Sequence, residues 1–307
     1  MLARNSDGPV PARPLDLTQL RTFLAVYRAG SLSEAARRLG LAQPTVTGQI
    51  RALEQQLDRQ LFERLPRGVT PTAVATDLAA RIAGPMDELA VVADRDAATP
   101  SEPVHLGGPA EMLAVRVLPA LAPLVAGGVR LRVTHGLADD LLDGLRAGRF
   151  DLVLSAVRPR GRSVLATPLM DEEFVLVAAP AWRDRVGPLG AEDPAALDGV
   201  PLIAYAEDLP ILRRYWRHVF RQRLTVPPAL VVPDLRGVLA AAVGGAGVTV
   251  LPRYLCADEL RSGVLVTLLD PEDPPINTGF IATRATSALG PDATRVRDAI
   301  LRAALAW

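Results

Sequence analysis

The run Gln43-Pro44-Thr45-Val46-Thr47-Gly48-Gln49-Ile50-Arg51 carries side chains able to read nucleic-acid bases, and their spacing decides which can act together. Val46, Ile50, Leu53 and Leu57 recur at helical intervals and mark a buried stripe. At about 100° per residue, Pro44, Thr47, Gly48 and Arg51 then turn outward, flanked by Thr45 and Ala52, with Gln43 opening the helix. Threonine methyl and hydroxyl groups can meet thymine methyls or phosphates, and arginine can pair bidentately with guanine. Gly48 costs roughly 1 kcal/mol of helix stability relative to alanine, which a close approach to a DNA backbone would rationalise. A solvated helix face with an incidental glycine is the competing reading. Ser33, Arg64 and Arg67 are expected to hold phosphates, while Thr47 and Arg51 read base edges.

Enzyme chemistry finds no comparable support. His105, His135 and His218 are far apart and lack metal-ligand spacing, so no metal is expected. There is no G-x-S-x-G, and Cys256 is expected to pack in a helix after Pro252. Gly244-Gly245-Ala246-Gly247 follows a helix and precedes a strand, the reverse of a dinucleotide fingerprint, so no cofactor is expected.

The elements that would position the Gln43–Arg51 face are legible nearby. Asp16 can cap a helix carrying Leu17, Leu20, Phe23, Leu24 and Tyr27, which Gly30 ends. Ser31-Leu32-Ser33-Glu34 reads as a capping box opening a second helix, which Gly40 stops. Two short helices, a turn and a longer third helix make a helix-turn-helix pattern, whose later helix enters the major groove. Leu61-Phe62 and the turn through Arg64 to Thr70 predict a hairpin wing. From Thr72 a helix of about 25 residues carries Val74, Leu78, Ile82, Met86 and Leu89 on one stripe, expected to pair two copies. Packing within its own domain is the alternative, and Gly84-Pro85 is expected to kink the helix.

Composition agrees with a local rather than global polyanion site. The 307 residues hold 34 basic and 34 acidic side chains, every base an arginine. Up to Thr72 the balance is +4, and beyond it −4. A lone cysteine excludes an internal disulfide, and Met1–Pro14 lacks the apolar core of a signal peptide, so a cytoplasmic chain is expected. No stretch reaches the roughly 20 apolar residues of a membrane span. Residues 1–14 read as a disordered tail and 98–103 as a polar connector.

From Val104 strand-like runs (VHLG, VRLRV, DLVLSA, FVLVAA, PLIAY, ALVVP, GVTVLP, GFIATR) alternate with helical patterns, the signature of an α/β domain with largely parallel sheets. Such sheets bind ligands at the carboxyl ends of strands and at inward helix N-termini. Those positions are Gly108, Pro109, Ala110, Glu111 and Met112, then Val157 and Arg158, Tyr205 and Ala206, Asp234 and Leu235, and Gly247 and Val248. Ordinary loop structure competes at each. A carboxylate at Glu111 opposes an anionic ligand, which predicts a neutral or amine-bearing small molecule unless Arg158 or Arg236 turns inward.

The segment Leu17–Thr72 resembles the DNA-binding domain of the LysR-type transcriptional regulators. The matching residues are L-x-x-L-x-x-F from Leu17, G-S-L-S-E-A-A-R-R-L from Gly30, Q-P-T-V-T-x-Q-I-R-A-L-E from Gln43, L-F-E-R ending at Arg64 and T-P-T ending at Thr72. LPAL near Pro119, GRFDLVL ending at Leu154 and GGAGVTVLP ending at Pro252 look like landmarks of the family's effector domain.

The resemblance implies an α plus α/β chain: a winged helix-turn-helix (15–72), a dimerising linker helix (73–97) and a two-subdomain effector domain (104–307) like a periplasmic binding protein. Subdomain I would span about 104–176 and 283–307, and subdomain II about 177–282, with crossings around Val177 and Ala282. The implied partners are double-stranded operator DNA, a small-molecule effector, further copies of the chain as dimer or tetramer, and RNA polymerase. Ala42 stands where the family commonly has a serine cap, a loss of roughly 1 kcal/mol. Two other classes compete: a cytoplasmic solute-binding protein, which needs no helix-turn-helix, and a small-molecule enzyme, which needs a nucleophile or acid–base pair.

Overall fold

The structure, a computed structural model, describes residues 14–66, 68–93, 103–190, 194–285 and 289–307, and their side chains apart from 88 and 90–93. The expected tail and connector therefore fall almost wholly outside the described residues. The chain divides into two compact units, one of residues 1–100, 143–150 and 284–288, the other of 101–142, 151–283 and 289–307.

In the first unit, α1 (Leu17–Ala29) starts where the Asp16 carboxylate accepts from the Thr18 N–H at 2.7 Å, and Gly30 ends it in the left-handed region. The second helix, α2 (Leu32–Leu39), begins at Ser31, whose hydroxyl accepts from the Glu34 N–H at 3.4 Å. Only this half of the capping box forms. Glu34 pairs instead with Arg37 and Arg38, one turn on, because two guanidinium groups outbid a single backbone N–H. The third, α3 (Gln43–Leu57), starts at Ala42 without a side-chain cap, and it buries Val46, Ile50 and Leu53. These side chains close on Phe23, Leu24 and Tyr27 of α1 and on Ala35 and Ala36 of α2.

A hairpin follows, β1 (Phe62–Arg64) antiparallel to β2 (Val69–Pro71), with Arg64 opposite Val69. The Val69 N–H donates to the Gly30 carbonyl at 2.9 Å, which ties the wing to the α1–α2 turn. The long helix α4 (Ala73–Ala93) runs through Pro85 without ending there. Its Ala75, Leu78, Ala79 and Ala83 are buried in the first unit's own core, with Ile82 and Met86 packed against it. Val74 and Leu89 are exposed. Asp87 of α4 accepts from Arg28 at 2.8 Å and from Arg284 at 3.0 Å, and Arg284 also donates to the Phe150 carbonyl at 2.7 Å. The carboxylate thus neutralises a guanidinium only 9% exposed.

In the second unit, β3 (Val104–Gly108) leads into α5 (Ala110–Met112), a wider-wound segment Leu113–Val117 and α6 (Leu118–Ala126). β4 (Leu131–His135), α7 (Ala138–Arg146, whose last turn belongs to the first unit), β5 (Leu152–Ser155) and β6 (Val164–Ala178) follow. The remaining elements are α8 (Pro180–Val186), β7 (Ile203–Ala204), α9 (Pro210–Val219), β8 (Leu230–Val231), α10 (Leu235–Val243), β9 (Val248–Pro252), α11 (Ala257–Ser262), β10 (Val266–Leu269), β11 (Ile276–Arg284) and α12 (Pro291–Ala304).

Seven strands form one sheet in the order β10-β6-β11-β5-β3-β4, with β9 also on β6, and β7 pairs β8 separately. Pairing is parallel for β3 with β4 and β5, but antiparallel for β6 with β9 and β10 and for β11 with β5. The expected mainly parallel sheet is therefore mixed. The long strands explain this, since β6 runs antiparallel to β9 and β10 and β11 antiparallel to β5, while separate apolar cores mark a half around β3 and β5 and a half around β7 and β9. β10 escapes a sequence reading because V-T-L-L is short and lacks alternation. On the first half α12 packs Ala293, Val296 and Ile300 against Val104, Leu106 and Leu121. A core around Tyr215, Trp216 and Phe220 fills the second.

Gly68 offers a test of how the wing is fixed. Its φ is +95°, and an added Cβ would sit 2.5 Å from the Gly30 carbonyl oxygen. Gly68→Ala is expected to destabilise the first unit by about 1–3 kcal/mol, combining backbone strain with the collision. Chemical denaturation followed by circular dichroism checks it, and an unchanged midpoint would contradict the tie between wing and turn.

Candidate functional site

Two surfaces merit attention, one in each unit. On the first, Pro44, Thr45, Gly48 and Arg51 are exposed along α3, with Gln43 exposed at its start. Thr47 is half-buried, its hydroxyl donating to the Gln43 carbonyl at 3.0 Å, so the methyl is the part left free to face outward. Nothing lies within 4 Å of where a Gly48 Cβ would stand, which leaves room for a ligand backbone. Thr22 of α1 donates to Gln49 at 2.5 Å and fixes the inner side of α3. Ser33 and Arg64 are exposed, and Arg67 lies outside the described residues. Apart from Arg67, the structure thus brings the sequence-derived residues onto one unit with a rigid backing.

In the second unit the expected cleft residues separate into two groups. Met112, Leu235 and Val248 are buried in apolar cores, and a Cβ on Gly247 would collide with the Pro201 carbonyl. These positions shape the backbone rather than offer polar contacts. Gly108 is also packed, 3.0 Å from the Leu154 side chain at its missing Cβ, while Pro109 and Ala110 are half-buried where α5 begins. Val157 and Arg158 are exposed, and Tyr205 and Ala206 half-buried.

The polar members converge. Burial pushes the Glu111 carboxyl above its ordinary value, partly opposed by a hydrogen bond from its own backbone; Asp234 pushes it further up, while Arg236 and His135 pull it down. Asp234 caps α10 by accepting from the Arg236 N–H at 2.9 Å, and it also grips the Arg236 guanidinium through contacts of 3.0 and 2.6 Å. The hydrogen bonds from Arg236 hold Asp234 below the usual carboxylate range. That arginine is therefore committed to Asp234 and does not reverse the sign of the site.

Glu172 is the residue that sequence reasoning missed. It lies on β6 between Asp171, which accepts from Thr278 at 2.7 Å, and Glu173, which accepts from Arg253 at 2.8 Å. Strand alternation turns Glu172 to the opposite face, where it is 4% exposed. The Asn277 amide of β11 donates to it at 3.4 Å. Burial raises its carboxyl foremost, Asn277 opposes, Glu111 raises it again, and the Tyr254 hydroxyl and Arg214 lower it. Three consecutive acids in a strand between apolar runs were a signal, since one of them had to face inward.

The other chemistry-bearing groups are quiet. Cys256 is buried and caps α11 rather than lying inside a helix, with its thiol pushed up to about 12 by burial. His218 contacts the Asp273 carbonyl at 3.0 Å. Among the described residues no group of three His, Cys, Asp or Glu is arranged to hold a metal, and no helix is long and apolar enough to cross a membrane.

Comparison with known proteins gives these surfaces a context. A family model for the bacterial regulatory helix-turn-helix protein, lysR family, matches residues 17–76, and one for the LysR substrate binding domain matches 97–305. The chain is 47% identical to the HTH-type transcriptional regulator AbaB of Streptomyces antibioticus, covering 95% of this chain and 100% of that one. Among solved structures, ArgP of Mycobacterium tuberculosis matches with a TM-score of 0.76 at 24% identity, over 95% of this chain and 98% of that one. A full-length OxyR of Pseudomonas aeruginosa matches with a TM-score of 0.75 at 22% identity, over 95% of each chain. At those identities the two structures speak for the fold alone.

The buried carboxylate generates a stability prediction. Folded Glu172 holds its proton to higher pH than the unfolded chain, whose value is near the ordinary 4.5. From 4.5 upward the folded state therefore binds more protons, and stability is lost as pH rises through the raised value. Glu172→Gln is expected to raise Tm at pH 7.5 by about 2–4 °C, roughly what 1 kcal/mol is worth in a domain of this size. The gain should vanish below about pH 4.5, where the wild-type carboxyl is protonated in both states. Thermal melts at the two pH values check it, and an equal gain at both would rule out a charge origin.

Proposed function

We propose, from the premise that the chain belongs to the LysR-type transcriptional regulators, that α3 and the β1–β2 wing dock it on operator DNA and that a small molecule in the second unit sets its activity. The relatives are DNA-binding regulators with an effector domain, not enzymes, and the chain is one of them. The observation that carries the DNA reading is the face of exposed Pro44, Gly48 and Arg51 with half-buried Thr47 between them, on a helix whose opposite side is locked into the core. A solute-binding protein would have no use for it.

In this reading Arg51 and Thr47 meet base edges, while Ser33, Arg64 and Arg67 hold phosphates. Gln43, Pro44, Thr45 and Gly48 let the start of α3 approach the groove closely. Two copies pair through α4, with Val74 and Leu89 offering exposed apolar surface beside Ile82 and Met86, so that two recognition helices reach successive major grooves roughly 34 Å apart. Leu78 serves the core of its own unit instead. Tetramer formation and contact with RNA polymerase extend this reading by resemblance, as does a cytoplasmic location. The effector would act by binding one setting of the second unit more tightly than another.

A salt titration tests the reading on the DNA just upstream of the chain's own gene. Affinity is expected to fall steeply with salt, because neutralised phosphates release counterions. Arg51→Ala is expected to cost about 1–3 kcal/mol on the preferred sequence and to relax discrimination, whereas Arg64→Ala should weaken all DNA alike. Equal losses on operator and random DNA would remove Arg51 from base reading, and no binding at low salt would remove the regulator.

A further inference from the structure

We propose that Glu172, Glu111 and Tyr254 form a cation-selective subsite in the second unit, which takes the ammonium or guanidinium group of a small organic effector. The inference rests on the regulator reading and adds to it the charge class of the ligand and two residues, Glu172 and Tyr254, that the sequence did not bring forward.

The groups come from three separate stretches of chain. Glu111 stands in the short helix after β3, Glu172 on the crossing strand β6, and Tyr254 just after β9. Glu172 and Glu111 lie close enough for Glu111 to disfavour the charge on Glu172, and both disfavour ionisation of Tyr254. The Tyr254 hydroxyl is buried against Glu172 but closes no well-formed hydrogen bond, and the Nε of Arg116 is buried without one too. Arg116 stacks over the Tyr254 ring at 5.4 Å rather than pairing with either carboxylate.

Among the described residues, the other arginines near these carboxyls are engaged elsewhere. Arg253 pairs with Glu173, Arg236 with Asp234, and Arg214 donates to the carbonyl of Ile276. The acids on either side of Glu172 have partners within hydrogen-bond reach, yet Glu172, the most buried of the three, has one long contact to an amide. A carboxylate taken out of water without a counter-ion disfavours the fold, and glutamine would satisfy the same Asn277 contact without charge. A positive group supplied from solution removes that conflict, and a second carboxylate with a phenol beside it can share the N–H donors of an ammonium or guanidinium. An anion entering here would meet two acids, and the guanidinium beside them, Arg116, lies over the Tyr254 ring.

Proton linkage gives the proposal a second readout. The groups facing Glu172 are Asn277, Glu111, Tyr254 and Arg214, and those facing Glu111 are Asp234, Arg236, His135, Tyr205 and Glu172. Both carboxyls hold protons to higher pH than usual in the free protein, so a bound cation must release them. Cation affinity therefore rises with pH.

The experiment is isothermal titration of the full chain with putrescine, agmatine and benzylammonium, against benzoate and succinate, at pH 5.5 and 7.5. At least one cation is expected to bind, more tightly at the higher pH and with proton release visible as a buffer-dependent enthalpy, while the two anions do not. Glu172→Gln and Glu111→Gln should each weaken it by tenfold or more, Tyr254→Phe by less, and Asp171→Asn not at all. Melting curves of each variant confirm that it is folded. Binding of the anions alone, no binding by any of the three cations, or cation binding untouched by Glu172→Gln overturns the proposal. Upstream DNA titrated with the same preparation separates the two readings: if DNA binds while the cation result fails, only the subsite falls, and if DNA does not bind, the regulator reading falls as well.

Discussion

The second unit depends on two long strands, β6 and β11, lying side by side in one sheet. β6 bonds to β9 and β10 over its second half, and β11 bonds to β5, so the backbone ladder joins elements that would otherwise be separate layers. Such a ladder fixes which face each side chain takes, because a slip of one residue would invert every position. The same rule that buries Val175 and Val177 against α10 turns Glu172 inward, where it meets Asn277 of β11. The acid is thus a consequence of the register, held on a strand that borders two apolar cores, through Leu169 on one side and Phe174 on the other.

The first unit shows the opposite economy. Its core is small and made largely of Leu, Val and Ala around Phe23, Tyr27 and Phe62, and few residues are left free to be anything but structural. Turn and cap geometry fixes the helices, and the wing is tied by one backbone bond to the α1–α2 turn. The exposed side of α3 then has nothing to do for stability. Polar, small and basic residues there are consistent with recognition, since an ordinary solvated helix face gains from Ala, Glu or Lys far more than from Gly48. The net charge of the chain is zero, yet its first 72 residues carry an excess of arginine, which places attraction for a polyanion where that face is.

Local signals in the sequence reached the first unit well and the second only in outline. Asp16, Gly30, Ser31 and Gly40 declare the ends of α1 and α2 through short-range chemistry, and the structure places those caps where the residue types require them. The capping box is legible only by half, because competition between the Ser31 N–H and two arginines for Glu34 depends on rotamers that a motif does not encode. β6 begins at Val164, well upstream of the apolar run at Phe174, since Pro168 and the acids 171–173 interrupt the pattern that marks a strand. Glu172 was hidden for the same reason: its burial comes from pairing with β11 more than 100 residues away, a tertiary effect without local trace. Glu111, by contrast, stood in the first turn after a strand end, a position that general sheet geometry singles out.

Footprinting of the full chain on its own upstream DNA shows whether the rigid α3 face reads DNA sequence in pairs of grooves. Protection is expected at a defined site, in two half-sites separated by about one helical turn or a whole multiple of it, and persisting in excess random DNA. Protection spread evenly along any duplex, or lost entirely to random competitor, would contradict that expectation.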